Sequence, residues 1–175
     1  VTARRLWGGW RRTAQDDERG AAAKAPHWLA ELERILGYRF RQIELLRVAL
    51  THPSAAEGTN QHYERLEFLG DAVLDLAIAD LLMRHFPEGD EGLLSRQRAS
   101  VVNARTLASK AEAIGLARSL RLGKGEEKSG GRQKISILAA GFEAVIGAIY
   151  RDSGLPEAQR VVERLFADEI GGPSA

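Results

Sequence analysis

Glu64-Arg65-Leu66-Glu67-Phe68-Leu69-Gly70-Asp71-Ala72-Val73-Leu74 is the stretch on which the reading of this chain turns. Leu66, Leu69, Val73 and Leu76 recur with the period of an α-helix, and the pattern predicts one long helix from about His62 to His85, ending before Pro87. Those four residues form its expected core face. On the other side Glu64, Glu67 and Asp71 stand at i, i+3 and i+7 and project within about 60° of one another, with Asp75 near the same stripe. Stacked like charges repel by roughly 0.3 kcal/mol per pair, and a divalent cation would offset this because Mg²⁺ prefers carboxylate oxygens. Judged by spacing alone, the commoner meaning of such a stripe is a solvated face whose acids pair with Arg65 or other basic residues.

A second acid bears on that choice. Glu143 lies within Ile137-Leu138-Ala139-Ala140-Gly141-Phe142-Glu143-Ala144-Val145-Ile146-Gly147-Ala148, an otherwise apolar stretch. Burying a lone carboxylate is costly unless it is paired or metal-bound; the alternative is a half-exposed Glu beside an arginine. Gly141 and Gly147 flank it and would permit close helix approach, bringing Glu143 to the Glu67/Asp71 face. Carboxylates from two helices suit one or two hard cations, which bind phosphate, acidify a bound water and stabilise a leaving oxygen. The chain offers no rival chemistry. It has no cysteine, and His27, His52, His62 and His85 lack metal-type pair spacing. The glycine-rich Gly123–Gly131 stretch lacks the Gly-Lys-Ser/Thr ending of a Walker A loop.

Outward from these segments the chain reads as all-α. Leu29, Leu32 and Leu36 mark a helix stopped by Gly37, and a short helix follows from about Gln42 to Leu50. Leu93–Val102 and Ala104–Ile114 read as two more, with Asn103 as N-cap of the second and Gly115 as its stop. Thr51–Asn60 and Gly123–Gly131 read as loops, Lys134–Tyr150 as an apolar helix, and Pro156 as the first residue of a last helix reaching about Glu169. Residues 1–26, rich in Arg, Gly and Ala, are expected to be a disordered basic tail, 27–170 the domain, and 171–175 a C-terminal tail. With 25 basic and 24 acidic residues, the net charge of +1 does not advertise nucleic-acid binding, so any such role must rest on local charge placement. The lack of cysteine fits a reducing, cytoplasmic location, and no apolar run approaches the length of a membrane span.

The long helix then carries a resemblance. His62-Tyr63-Glu64-Arg65-Leu66-Glu67-Phe68-Leu69-Gly70-Asp71-Ala72-Val73-Leu74 resembles the ribonuclease III signature nearly letter for letter. The likeness extends upstream through Ala49-Leu50-Thr51-His52-Pro53-Ser54. Downstream it runs through Leu94-Ser95-Arg96-Gln97-Arg98-Ala99, Leu120–Gly131, Ser136-Ile137-Leu138-Ala139 and Phe142-Glu143-Ala144, so that about residues 27–167 are covered.

That resemblance implies the helical bundle of a ribonuclease III endonuclease domain, of the bacterial type. It implies metal-activated water hydrolysing double-stranded RNA to 5′-phosphate and 3′-hydroxyl ends, in rRNA and mRNA processing, with Mg²⁺ as cofactor and Mn²⁺ able to substitute. It also implies a homodimer. By position, Glu67, Asp71 and Glu143 match the metal-binding acids, with Asp71 and Glu143 the catalytic pair; Glu64 matches an additional acid, and Phe68 an aromatic at the dimer contact. Candidates for RNA contact are Arg96, Arg98, Lys124 and Lys128, with Arg132 and Lys134 beside them; each is also an ordinary surface charge. Two departures stand out. The family usually has Asp where this chain has Ala140, one turn before Glu143, and typical bacterial members continue into a double-stranded-RNA-binding domain that this sequence does not contain. The alternative is therefore a catalytically impaired module of the same fold that binds duplex RNA.

Overall fold

The structure, a computed structural model, describes residues 27–56 and 61–170. The expected tails, 1–26 and 171–175, and residues 57–60 of the expected Thr51–Asn60 loop lie outside the described residues, and within that loop Pro53–Ala55 forms a single 3-10 turn. The helices are α1 His27–Leu36, α2 Ile43–Ala49, α3 Glu64–His85, α4 Glu91–Val101, α5 Ala104–Ala113, α6 Leu116–Ser119, α7 Lys124–Lys128, α8 Ile135–Ser153, α9 Leu155–Leu165 and α10 Ala167–Ile170. Among the described residues there is no strand. One isolated parallel bridge joins Thr51 to Arg121.

The core is organised round α8. A helix apolar on all sides must be surrounded, and α8 is packed against α2, α3, α5 and α9. Ile137–Phe142, Ala144–Ile149 and Asp152 are buried along it, so Glu143 is the one partly exposed residue between Ile137 and Ile149. The buried Asp152 is satisfied: it accepts from Tyr38 Oη at 2.5 Å and from the backbone N–H groups of Arg41 and Gln42 at 2.8 and 2.9 Å, fastening the end of α8 to the α1–α2 connection. Burial, followed by the hydrogen bond to Asp152, pushes the Tyr38 phenol up to about 12.

Several terminators act as expected. Gly37 and Gly115 adopt left-handed φ of 62° and 73°, and the Asn103 side chain accepts from Thr106 N at 3.1 Å. Four expectations need correction. Gly123–Gly131 is not all loop: Lys124–Lys128 forms a helical turn, because Arg132 grips both Glu127 carboxylate oxygens (2.7 and 2.8 Å) and the carbonyls of Ala117 and Leu120 (2.7 and 2.8 Å). The last helix breaks at Phe166 into α9 and α10, and begins at Leu155 rather than Pro156. The core face of α3 is Leu66, Gly70, Val73, Leu74, Ala77, Ile78 and Leu82; Leu76 is 52% exposed. Gly141 faces Leu116 and Leu120 rather than α3.

Candidate active site

The site is made by a close crossing of α3 and α8. A Cβ on Gly70 would overlap the carbonyl oxygen of Glu143 and come within 3.0 Å of Gly147 N; one on Gly147 would overlap the carbonyl oxygen of Leu66 and come within 3.1 Å of Gly70 N. Backbone thus meets backbone, and residues 66–70 of α3 run against 143–147 of α8 in opposite directions. This crossing sets Glu143, the one acid in the middle of α8, beside the acidic stripe of α3. Gly147 was legible as a small residue beside Glu143; its partner Gly70 was hidden inside the signature.

The electrostatics report the convergence. Burial, then the charges of Asp71, Glu67 and Asp75, push the Glu143 carboxyl from its ordinary 4.5 up to about 7. Burial, then Glu64 and Asp71, raise Glu67. Among the described residues, none of Glu67, Asp71, Asp75 and Glu143 forms an ion pair with a basic side chain. No arginine among the described residues thus supplies the partner that would make the stripe an ordinary solvated face. Asp71 is exposed, while Glu67, Asp75 and Glu143 are half-buried. Glu64 stands apart from this group. Its carboxylate lies 3.5 Å from His62 Nδ1, and it acts on Glu67 but not on Glu143. His62 Nδ1 is itself buried without a hydrogen-bond partner.

These residues fit a hard divalent cation in donor type. All are carboxylates, they come from two helices, and among the described residues none is paired with a basic side chain. Among the described residues no three acids or histidines are already gathered about one point where an ion could sit. Among the described residues the exposed Asp71 side chain has no hydrogen bond or ion pair. Ala140, one turn before Glu143 and only 8% exposed, adds no oxygen.

A pH dependence follows for the metal-free protein. A carboxyl whose folded pKa is raised contributes stability that is complete below its unfolded value, near 4.5, and lost as pH rises through about 7. With solvent screening at this half-exposed group, the effect is about 1–2 kcal/mol. In EDTA the parent chain should gain stability relative to Glu143→Gln as pH falls from 8 to 5.5. Parallel thermal-midpoint curves for the two proteins would show that Glu143 carries no such strain.

The basic candidates come from separate elements. Arg96 and Arg98 lie on α4, the helix that follows α3 and packs on it; Lys124 and Lys128 lie on α7, exposed and without an ion pair among the described residues. Arg132 and Lys134 are already engaged. Arg132 holds Glu127 and two carbonyls, and Lys134 Nζ lies 2.6 Å from Glu126 Oε1. Phe68, beside the acidic face, is 82% exposed, and Leu76 and Met83 continue an exposed apolar line along α3.

The all-α fold is that of ribonuclease III nuclease domains. Residues 42–170 match the ribonuclease-III-like family model, and the chain belongs to that family. It is 49% identical over 159 residues to ribonuclease 3 of Magnetococcus marinus, covering 86% of this chain and 65% of that protein. It is 47% identical over 148 residues to ribonuclease 3 of Geobacter metallireducens, covering 81% and 60%. The chain thus spans a little under two thirds of these relatives. The nuclease domain of ribonuclease III from Campylobacter jejuni, described with flexibility in a region involved in dimer formation, superposes with a TM-score of 0.77 at 39% identity, covering 82% of this chain and 99% of that one. Dicer from Pichia stipitis superposes with a TM-score of 0.58 at 26% identity, covering 75% and 57%. No helix among the described residues is long and apolar enough to cross a membrane.

Proposed function

We propose that this chain is the catalytic domain of a cytoplasmic endoribonuclease that hydrolyses double-stranded RNA in rRNA and mRNA processing, leaving 5′-phosphate and 3′-hydroxyl ends. The observation that supports the proposal is Glu143, held beside the acids of α3 by the Gly70/Gly147 crossing, its carboxyl pushed up to about 7 by burial and then by Asp71, Glu67 and Asp75. Glu67, Asp71 and Glu143 would hold Mg²⁺, or Mn²⁺ in its place, and Glu64 contributes negative charge from the edge through Glu67. When bound, the cation supplies phosphate binding, an acidified water and charge stabilisation at the leaving oxygen. The protein's own share is to hold the carboxylates on two rigid helices, Glu143 half-buried and Asp71 open to solvent, so that an incoming phosphodiester meets them from outside. Lys124, Lys128, Arg96 and Arg98 supply phosphate contacts that read shape rather than sequence.

The acting form is a homodimer, in which a two-fold contact presents two sites to the two strands of one duplex. The exposed line Phe68–Leu76–Met83 is its apolar face. Phe68→Asp should convert a dimer to monomer in sedimentation at micromolar concentration, with the thermal midpoint of the fold little changed, because an exposed ring contributes little to the protomer core. A parent protein that is monomeric at that concentration would overturn the dimer.

A second reading has its own observation. The buried Ala140 favours an impaired duplex-binding module, because the family's usual carboxylate is missing there. Cleavage of an end-labelled RNA duplex with and without Mg²⁺ separates the two. Ala140→Asp should lower the Mg²⁺ concentration for half-maximal cleavage by about 10–100-fold and destabilise the metal-free protein by burying a further acid. Metal-dependent cleavage by the parent supports the enzyme, whereas cleavage seen only with Ala140→Asp makes the parent a binding module.

A further inference from the structure

The residues before the acidic helix are tied to two places at once. On one side, Tyr63 N donates to Thr51 O at 2.9 Å, immediately ahead of α3. On the other, Arg121 N donates to Leu50 O at 2.8 Å, His52 N donates to Arg121 O at 3.0 Å, and Gly123 N donates to Ser54 Oγ at 2.9 Å. The His52 ring stiffens the turn between these bonds. Its Nδ1 accepts from Ser54 N at 3.0 Å and lies 2.7 Å from Ser54 Oγ, and the ring stands edge-on to Tyr63 at 5.6 Å. Gly123 is the residue before α7, so the last of these bonds fixes where the Lys124–Lys128 turn begins.

We propose that Ser54 is a positioning residue for RNA binding: its hydroxyl registers the Lys124/Lys128 turn against the acidic face of α3. The inference rests on the duplex-RNA reading above. The geometry is economical, since one five-residue segment, Leu50–Ser54, bonds to the residue preceding α3 and to the residue preceding α7. Without the Ser54 hydroxyl, the strap keeps its bonds to Arg121 and Tyr63 but loses its hold on Gly123. The turn that carries the two lysines, which have no ion pair of their own among the described residues, is then held through Arg132–Glu127 and Lys134–Glu126, which tie it to the Ala117 and Leu120 carbonyls and to the start of α8 but not to the strap ahead of α3. Ser54 is exposed, so its effect is local to the strap rather than to the core.

Gly123 provides an independent handle. Its φ of −69° suits any residue, but a Cβ there would overlap Ser54 O and come within 2.8 Å of Ser54 C. Gly123→Ala therefore pries the turn from the strap without touching the hydroxyl.

The test is duplex RNA binding in EDTA, with Ser54→Ala, Ser54→Thr, Gly123→Ala and the double variant Lys124→Ala/Lys128→Ala, all in the full chain. Ser54→Ala and Gly123→Ala should each weaken binding about three- to tenfold in the parent, and Ser54→Thr should restore it. In the Lys124→Ala/Lys128→Ala background, Ser54→Ala should have no further effect, because the groups it positions are gone. The double lysine variant should reduce the log–log salt slope by about two. Equal weakening by Ser54→Ala with and without the lysines, or none in the parent, overturns the positioning role while leaving the RNA reading intact. Parent-like binding by the double lysine variant overturns both the positioning role and the assignment of the two lysines. If Ser54→Ala does not fold, the same comparison is made with Gly123→Ala, whose parent-like binding would overturn the proposal.

Discussion

Glu143→Gln is expected to lower duplex-RNA cleavage by roughly a hundredfold or more while leaving a folded and, at pH 8 without metal, more stable protein. Both effects have one cause. Glu143 interrupts the buried length of α8 and stands near Asp71, Glu67 and Asp75 with no basic ion-pair partner among the described residues, so burial and these charges disfavour its ionised form. Gln has nearly the same shape but carries no charge, which relieves the repulsion and removes an anionic oxygen donor for a cation. The stability gain should be about 1–2 kcal/mol at pH 8 and should fade as the parent protonates near pH 7 and below. A structural glutamate would behave otherwise: its loss would cost stability and leave the Mg²⁺ dependence of cleavage unchanged. Paired measurement of thermal midpoint and cleavage rate decides the matter, and parent-like cleavage by Glu143→Gln would remove it from the site.

Gly70→Ala should unfold the protein at a temperature roughly 10 °C lower, a loss of about 3 kcal/mol, and should take cleavage down with it. Intrinsic propensity predicts the opposite sign, because Ala in a helix interior is about 1 kcal/mol better than Gly. Packing wins here. The added methyl overlaps the Glu143 carbonyl oxygen, which is backbone and cannot turn aside. Relief requires α3 and α8 to move apart, which also carries Glu143 away from Glu67 and Asp71. Gly147→Ala meets the Leu66 carbonyl oxygen and should behave alike. Gly141→Ala is the contrast: its methyl would stand 3.2 Å from the terminal carbons of Leu116 and Leu120, which can shift by a few tenths of an ångström. A Gly70→Ala protein as stable as the parent would mean that the two helices do not cross in backbone contact.

The sequence alone determined that the chain is helical, because apolar residues spaced three and four apart can share one face only in a helix. It located the long acidic helix and its end near His85, the Asn103 cap and the Gly115 stop, since those depend on a few neighbouring residues. It also separated Glu143 as an acid out of place in an apolar run, while the resemblance put Phe68 at a dimer contact, and the structure finds Phe68 exposed. What it could not determine was which faces meet. Leu76 fits the apolar period of α3 yet is exposed, and Gly141 flanks Glu143 yet packs on the α6 side, because periodicity sorts residues on one helix without naming the helix that covers them. Only the tertiary structure matched Gly70 with Gly147, converted Arg132 from a free charge to a buckle across Glu127, Ala117 and Leu120, and tied Ser54 to Gly123 sixty-nine residues away. Each is a contact between segments remote in sequence, so its geometry depends on how closely two backbones approach, and no local pattern of residues encodes that distance.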